Sequence, residues 1–155
     1  MADSLKPLAD PRVREFLAQA RIAHLATADA SCAPHNVPLC FWFDAGTRFY
    51  FVVDEKPKRI TRSGLKRIRN IAENPQVALV VDHYEEEWTR LAYVLIHGAA
   101  RIVADREEYL VALRNLRDKY PQYRAMALDG PEHPVVRITP ERVHAWRAAE
   151  AAPRT

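Results

Sequence analysis

The chain has 155 residues, 48% of them apolar, and a formal net charge of +3. That length predicts a single domain over residues 1–155, with its core at about 12–147. No run of 18 apolar residues occurs, which excludes a membrane-spanning helix, and two cysteines, Cys32 and Cys40, are too few for a disulfide scaffold or a metal-ligand spacing.

The opening "MADSLKPLADP" lacks the apolar centre of a signal peptide, so free thiols in a reducing cytoplasm are expected. "DPRVREFLAQARI" predicts a helix capped by Asp10, with Pro11 in the first turn and Val13, Phe16, Leu17 and Ala20 on one apolar face. "AHLATADASCAPHNVPLCFWFDAGTRFYFVVDE" predicts three consecutive strands, divided around Ala28–Ser31 and at Asp44-Ala45-Gly46. Pro34 and Pro38 put the second strand at an edge or on a bulge, with backbone left over for a ligand. The aromatics from Phe41 to Phe43 and from Phe49 to Phe51 divide by alternation between core and interface.

A basic segment follows, with a short helix over about 62–73 ended by Asn74-Pro75. "QVALVVDHY" reads as a buried strand, "EEEW" as a turn, and "RLAYVLIHGAARIVA" as a long strand kinked at Gly98. "DREEYLVALRNLRDKYPQY" is the clearest helix: Asp105 caps it and Glu108 completes a capping box. "PVVRITPERVHAW" supplies one or two strands interrupted by Pro140. Helices do not alternate regularly with strands, which argues against a parallel doubly wound sheet. The expected class is α+β, mainly β: an antiparallel barrel with helices in its connections.

Lys56, Lys58, Arg59, Arg62, Lys66, Arg67 and Arg69 place seven positive charges and no acid in 14 residues. The rest of the chain has 16 basic against 20 acidic residues, a balance of −4. So concentrated a patch suits a compact anion better than a nucleic-acid duplex, and nucleic acid is not an expected partner. The patch starts at a strand end and runs into a helix start, where backbone N–H groups favour an anion. Lys point charges mixed with Arg forks suit phosphate oxygens. Gly64 is the one nearby glycine, so no P-loop is present and side chains must do the holding. A merely solvated basic face is the alternative. No histidine spacing suggests a metal, and His83 beside Glu85, Glu86 and Glu87 reads as a solvated acidic turn.

The run from "ATADASCAPHNVPLCFWFDAGTRFYFVVDEKPKR" through "LKRIRNIAENPQVALVVDHYEEEWTRL" to "HGAARIV" resembles the split β-barrel flavoproteins related to pyridoxamine 5′-phosphate oxidase. It is most similar to their deazaflavin branch, which uses coenzyme F420. The resemblance implies an FMN-binding-like split barrel, a cytoplasmic homodimer, and a cofactor in each interface groove. It implies a hydride-transferring oxidoreductase acting on a small organic substrate. Lys66 and Arg67 would hold the ribityl phosphate, helped by Lys56, Lys58 and Arg59. Val52 and Val53, beside Asp54, would meet the cofactor through their backbone. His35, Asn36, Val37 and Pro38 would pass under the ring, with His35 a candidate proton donor. Trp88 and Arg90 would reach the partner's cofactor. FMN is the alternative cofactor, in a flavin reductase, and a non-catalytic carrier or haem-binding barrel is the second alternative. "PHNVPLCF" lacks the oxidase's second-strand Arg and Lys, and Tyr93-Val94 replaces its Gln-Val, which argues against pyridoxamine-phosphate oxidation itself.

Overall fold

The computed structural model describes residues 3–44, 46–54 and 65–148. Seven strands form one curled antiparallel sheet in the order β2-β1-β5-β6-β7-β4-β3. They are β1 (Ala23–Ala28), β2 (Pro34–Leu39), β3 (Trp42–Phe43), β4 (Phe49–Val52), β5 (Gln76–His83), β6 (Ala92–Ile102) and β7 (Val135–Arg147). With helices α1 (Pro11–Gln19), α2 (Lys66–Glu73) and α3 (Arg106–Lys119) in the connections, the class is α+β, a split-barrel arrangement. A 3-10 helix (Asp3–Ala9) precedes α1.

β2 is an edge strand, as its two prolines require. The three strands expected before residue 54 are four, because the chain leaves β2 after Leu39 and crosses to β3 at the opposite edge. Tyr120 makes that break tolerable: its hydroxyl donates to Phe41 O (2.9 Å) and accepts from Phe41 N–H (3.1 Å). Gly98 lies at a β-bulge, where His97 faces Arg142 but Gly98 faces Pro140. A Cβ at Gly98 would fall 2.3 Å from Thr139 O, so only glycine allows this approach. Pro140 is absorbed in the bulge, and the last segment stays one continuous strand.

Asp10 caps α1 by accepting from Arg12 N–H (2.8 Å), and Asp105 caps α3 by accepting from Glu108 N–H (2.7 Å). The capping box at α3 needs correction. The Glu108 side chain does not return to the cap; it accepts from Tyr50 Oη (2.8 Å) and Arg137 Nη1 (2.9 Å). A charge-assisted pair with a guanidinium outcompetes a neutral backbone donor. The basic helix starts at Lys66, and positions 62–64 lie outside the described residues.

β4 is buried on both faces and divides two apolar clusters. Phe49 and Phe51 face the interior with Leu17 of α1, Leu25, Leu79 and Ile96 of the sheet, and Ile68 and Ile71 of α2. Tyr50 and Val52 face α3, packing with Tyr109, Leu113, Leu116 and Tyr123. The outer face of β1, β5 and β6 stays half-exposed, with Ala26, Ala78, Val80, Tyr93 and Leu95 aligned across the ladders. Trp146 stacks on Tyr93 at 5.7 Å and extends this surface.

A candidate anion site at the start of α2

Ile68 and Ile71 bury one side of α2, and Asn70, fully buried, donates to Thr27 Oγ1 of β1 (3.0 Å). This anchor sets the first turn of α2 beside the turn that joins β1 to β2. Asp29 organises that turn: its Oδ1 accepts from Ser31 N–H (3.0 Å), Ser31 Oγ (2.7 Å) and Ala33 N–H (3.1 Å). Its other oxygen, Oδ2, lies 2.6 Å from Lys66 Nζ. Lys66 first, then Ser31 and Ala33, hold the Asp29 carboxyl well below the usual carboxylate range. Ala30 N–H donates to Glu73 Oε2 (3.1 Å), so the turn is tied to both ends of the helix.

Arg67 behaves differently from Lys66. Its Nε is buried with no hydrogen-bond partner. Burial lowers its pKa, and Asp54 is the principal counter-charge. His35 Nδ1 is also buried without a partner, and burial, then Arg67 and Lys66, push the imidazole pKa down. The ring is therefore neutral at pH 7. Asn70 Oδ1 is the third buried, unpartnered side-chain atom among the described residues. All three lie on α2 or on the neighbouring edge strand. A buried polar atom left unpaired costs about 1–3 kcal/mol.

Asp54, buried at the end of β4, accepts from Tyr123 Oη at 3.4 Å. Burial first, with Cys40 and Asp54 adding to it, raises the Tyr123 pKa far above its ordinary value and keeps the phenol neutral. Val53 N–H donates to Pro134 O (3.1 Å), and its carbonyl accepts from His133 Nδ1 (2.8 Å). Val53 thus has no free backbone donor, while Val52 faces Val135 across the β4–β7 ladder. On β2, His35 and Val37 share a face with Thr27 and Leu25; Asn36 and Pro38 take the opposite, exposed face. Lys56, Lys58, Arg59 and Arg62 lie outside the described residues.

Trp88 and Arg90 form a short 3-10 turn between β5 and β6, at the other end of β1 from Lys66. Trp88 is 68% exposed, and Arg90 pairs with Glu85 at 3.3 Å. His83 Nε2 lies 3.0 Å from Glu85 Oε1. An open cleft of about 890 Å³ runs past Arg90, lined also by Phe16, Arg21, His24, Asp82 and Arg147. No group of three metal-ligating side chains occurs among the described residues, and both thiols are free. No helix among them is long and apolar enough to cross a membrane.

Sequence reasoning missed Asp29, Thr27, Asn70 and Tyr123. "ADASC" reads only as a turn, and nothing local ties Asp29 to a lysine 37 positions later.

No curated protein matches the chain. Among solved structures, a conserved hypothetical protein from Mycobacterium tuberculosis superposes with a TM-score of 0.74 at 17% identity, covering 94% of this chain and 89% of its own. The haem storage protein HutZ from Vibrio cholerae gives 0.67 at 16% identity, with 89% and 93% covered. An FAD-binding protein from Mesorhizobium loti gives 0.63 at 21% identity, with 85% and 89% covered. At such identities these likenesses speak to the fold. The family model described as pyridoxamine 5′-phosphate oxidase matches residues 9–147, nearly the whole chain, and the protein belongs to that family.

Proposed function

We propose that the protein is an oxidoreductase whose α2 site holds the phosphate of coenzyme F420 during hydride exchange with a small organic substrate. The observation that carries this reading is the buried, unpartnered Arg67 Nε beside the buried, unpartnered His35 Nδ1. An anion at the mouth of α2 would give Arg67 Nε the charge-assisted hydrogen bond it lacks. Lys66 is already held by Asp29, so Arg67 is the stronger contributor to the clamp.

The cofactor, when bound, supplies the hydride chemistry; the chain binds it, orients it and excludes water. Neutral His35 offers an uncharged hydrogen-bonding group rather than a strong acid, so any proton it delivers must first come from solvent. Lys56, Lys58, Arg59 and Arg62 add positive charge upstream of the clamp, which favours the anionic tail of F420 over FMN, although exposed pairs each contribute only about 0–1 kcal/mol. A homodimer belongs to the same proposal. The half-exposed outer face with Ala78, Val80, Tyr93, Leu95 and Trp146 is the surface a second copy would cover, bringing its Trp88 and Arg90 towards the groove.

The test is competitive titration with F420 and FMN at two salt concentrations, together with light scattering. F420 should bind more tightly, with an advantage that shrinks as salt rises, to a particle of twice the chain mass. Tighter FMN binding at both salts would shift the proposal to a flavin reductase. A Soret band in the purified protein, with neither cofactor bound, would favour a haem-binding carrier.

A further inference from the structure

We propose that Asp29 is a specificity-determining residue: its carboxylate, seated on Lys66, makes the α2 site favour a phosphodiester monoanion over a phosphomonoester dianion. The inference rests on the reading that this site holds a phosphate. Its basis is the set of charges facing one another there. Lys66 and Arg67 are positive, Asp29 is bound to the first at 2.6 Å, and Asp54 opposes the second. His35 and Tyr123 are neutral, and Glu73 is turned away onto Ala30 N–H at the far end of α2. Among the described residues, the four charged groups at the mouth therefore sum to zero.

A phosphodiester adds one negative charge to this balance. A phosphomonoester adds close to two once its second proton, with a pKa of about 6, has left. Among the described residues the second charge meets no further cation at the mouth, and it lies near the Asp29 carboxylate, which stays ionised throughout the neutral range. Repulsion between like charges a few ångströms apart is large in a half-buried site. Two roles are divided between the oxygens of Asp29. Oδ1 holds the β1–β2 turn, while Oδ2 meets Lys66. Asp29→Asn keeps the first and removes the charge from the second.

The probes are a matched pair: FMN, a monoester, and its phosphate methyl ester, a diester, titrated by flavin fluorescence at pH 5.5 and pH 8. In the wild type, FMN should weaken several-fold relative to the diester as pH rises. A protonated His35 would also favour the more highly charged ligand at pH 5.5, so the pair is titrated in His35→Asn as well, where the ratio should keep its pH dependence; loss of that dependence would overturn the inference. Asp29→Asn should flatten the ratio and tighten FMN at pH 8 by about tenfold, and the diester by about threefold. Lys66→Gln, which leaves Asp29 uncompensated, should sharpen discrimination against FMN and serves if the first variant folds poorly. Equal shifts for both ligands in Asp29→Asn, or weaker binding of both, would overturn the inference and leave the phosphate site intact. An unchanged affinity of both ligands in Arg67→Ala would instead overturn the phosphate reading, and this inference with it.

Discussion

The polar groups around α3 and those around α2 are comparably buried and are treated in opposite ways. At α3 the bonding is saturated. Tyr109 Oη donates to Leu128 O (2.7 Å), Glu108 takes both Tyr50 and Arg137, and Tyr120 Oη bridges Arg21 O and Phe41. At α2, Arg67 Nε, His35 Nδ1 and Asn70 Oδ1 are left over. A saturated network rigidifies the fold, and removing one member leaves its buried partners unsatisfied. An unsaturated one costs stability in the empty protein, and that cost is recovered when a ligand supplies the missing partners.

Breaking the α3 side should give the largest effect. Glu108→Ala leaves the Arg137 guanidinium and the Tyr50 hydroxyl half-buried without their acceptor, and should cost about 3 kcal/mol in chemical denaturation. Ligand affinity in the folded fraction should not change. A loss under about 1 kcal/mol would mean that the saturated network is not structural. Gly98→Ala, at the bulge that lets β6 and β7 stay paired along their length, should cost about 2 kcal/mol, since the added carbon meets backbone. Wild-type stability there would show that the bulge relaxes freely.

Arg67→Ala should invert the pattern. Folding stability should hold or rise, because a buried and unpaired donor disappears, while phosphate-ligand affinity falls by at least about tenfold, or about 1.4 kcal/mol. Lys66→Ala should cost less, about threefold, because Asp29 already shares that ammonium. A stability loss in Arg67→Ala matching that of Glu108→Ala would erase the distinction between the two regions.

The smallest effect concerns pH. The folded-state pKa of His35 lies below its ordinary value of 6.5, with burial as the chief cause. Between the folded and unfolded pKa values the unfolded chain binds more protons, so stability rises with pH through that window. It should therefore decline as pH falls below about 6.5. His35→Asn should flatten this slope in melting experiments between pH 5 and 7. An unchanged slope would place the responsible proton on another group.

Much of the architecture was legible from short stretches of sequence. Asp10-Pro11 and Asp105 announced their helix starts, Pro34 and Pro38 an edge strand, and Gly98 an irregularity in a long strand. Each of these depends on backbone chemistry within a few covalent neighbours. Glu108 shows where that logic ends: its spacing suggested a reciprocal cap, but the folded sheet brought Arg137, 29 positions away, within reach and the stronger partner won. The basic helix was visible as a candidate clamp, yet its charges could not be ranked by inspection. Closure of β1 onto β2 and burial of Ile68 and Ile71 placed Asp29 on Lys66 and left Arg67 Nε without a hydrogen-bond partner. Covalent neighbours specify the local elements and the sign of the charge at the site. Which of those charges is already neutralised depends on distances through space, and sheet closure sets those distances.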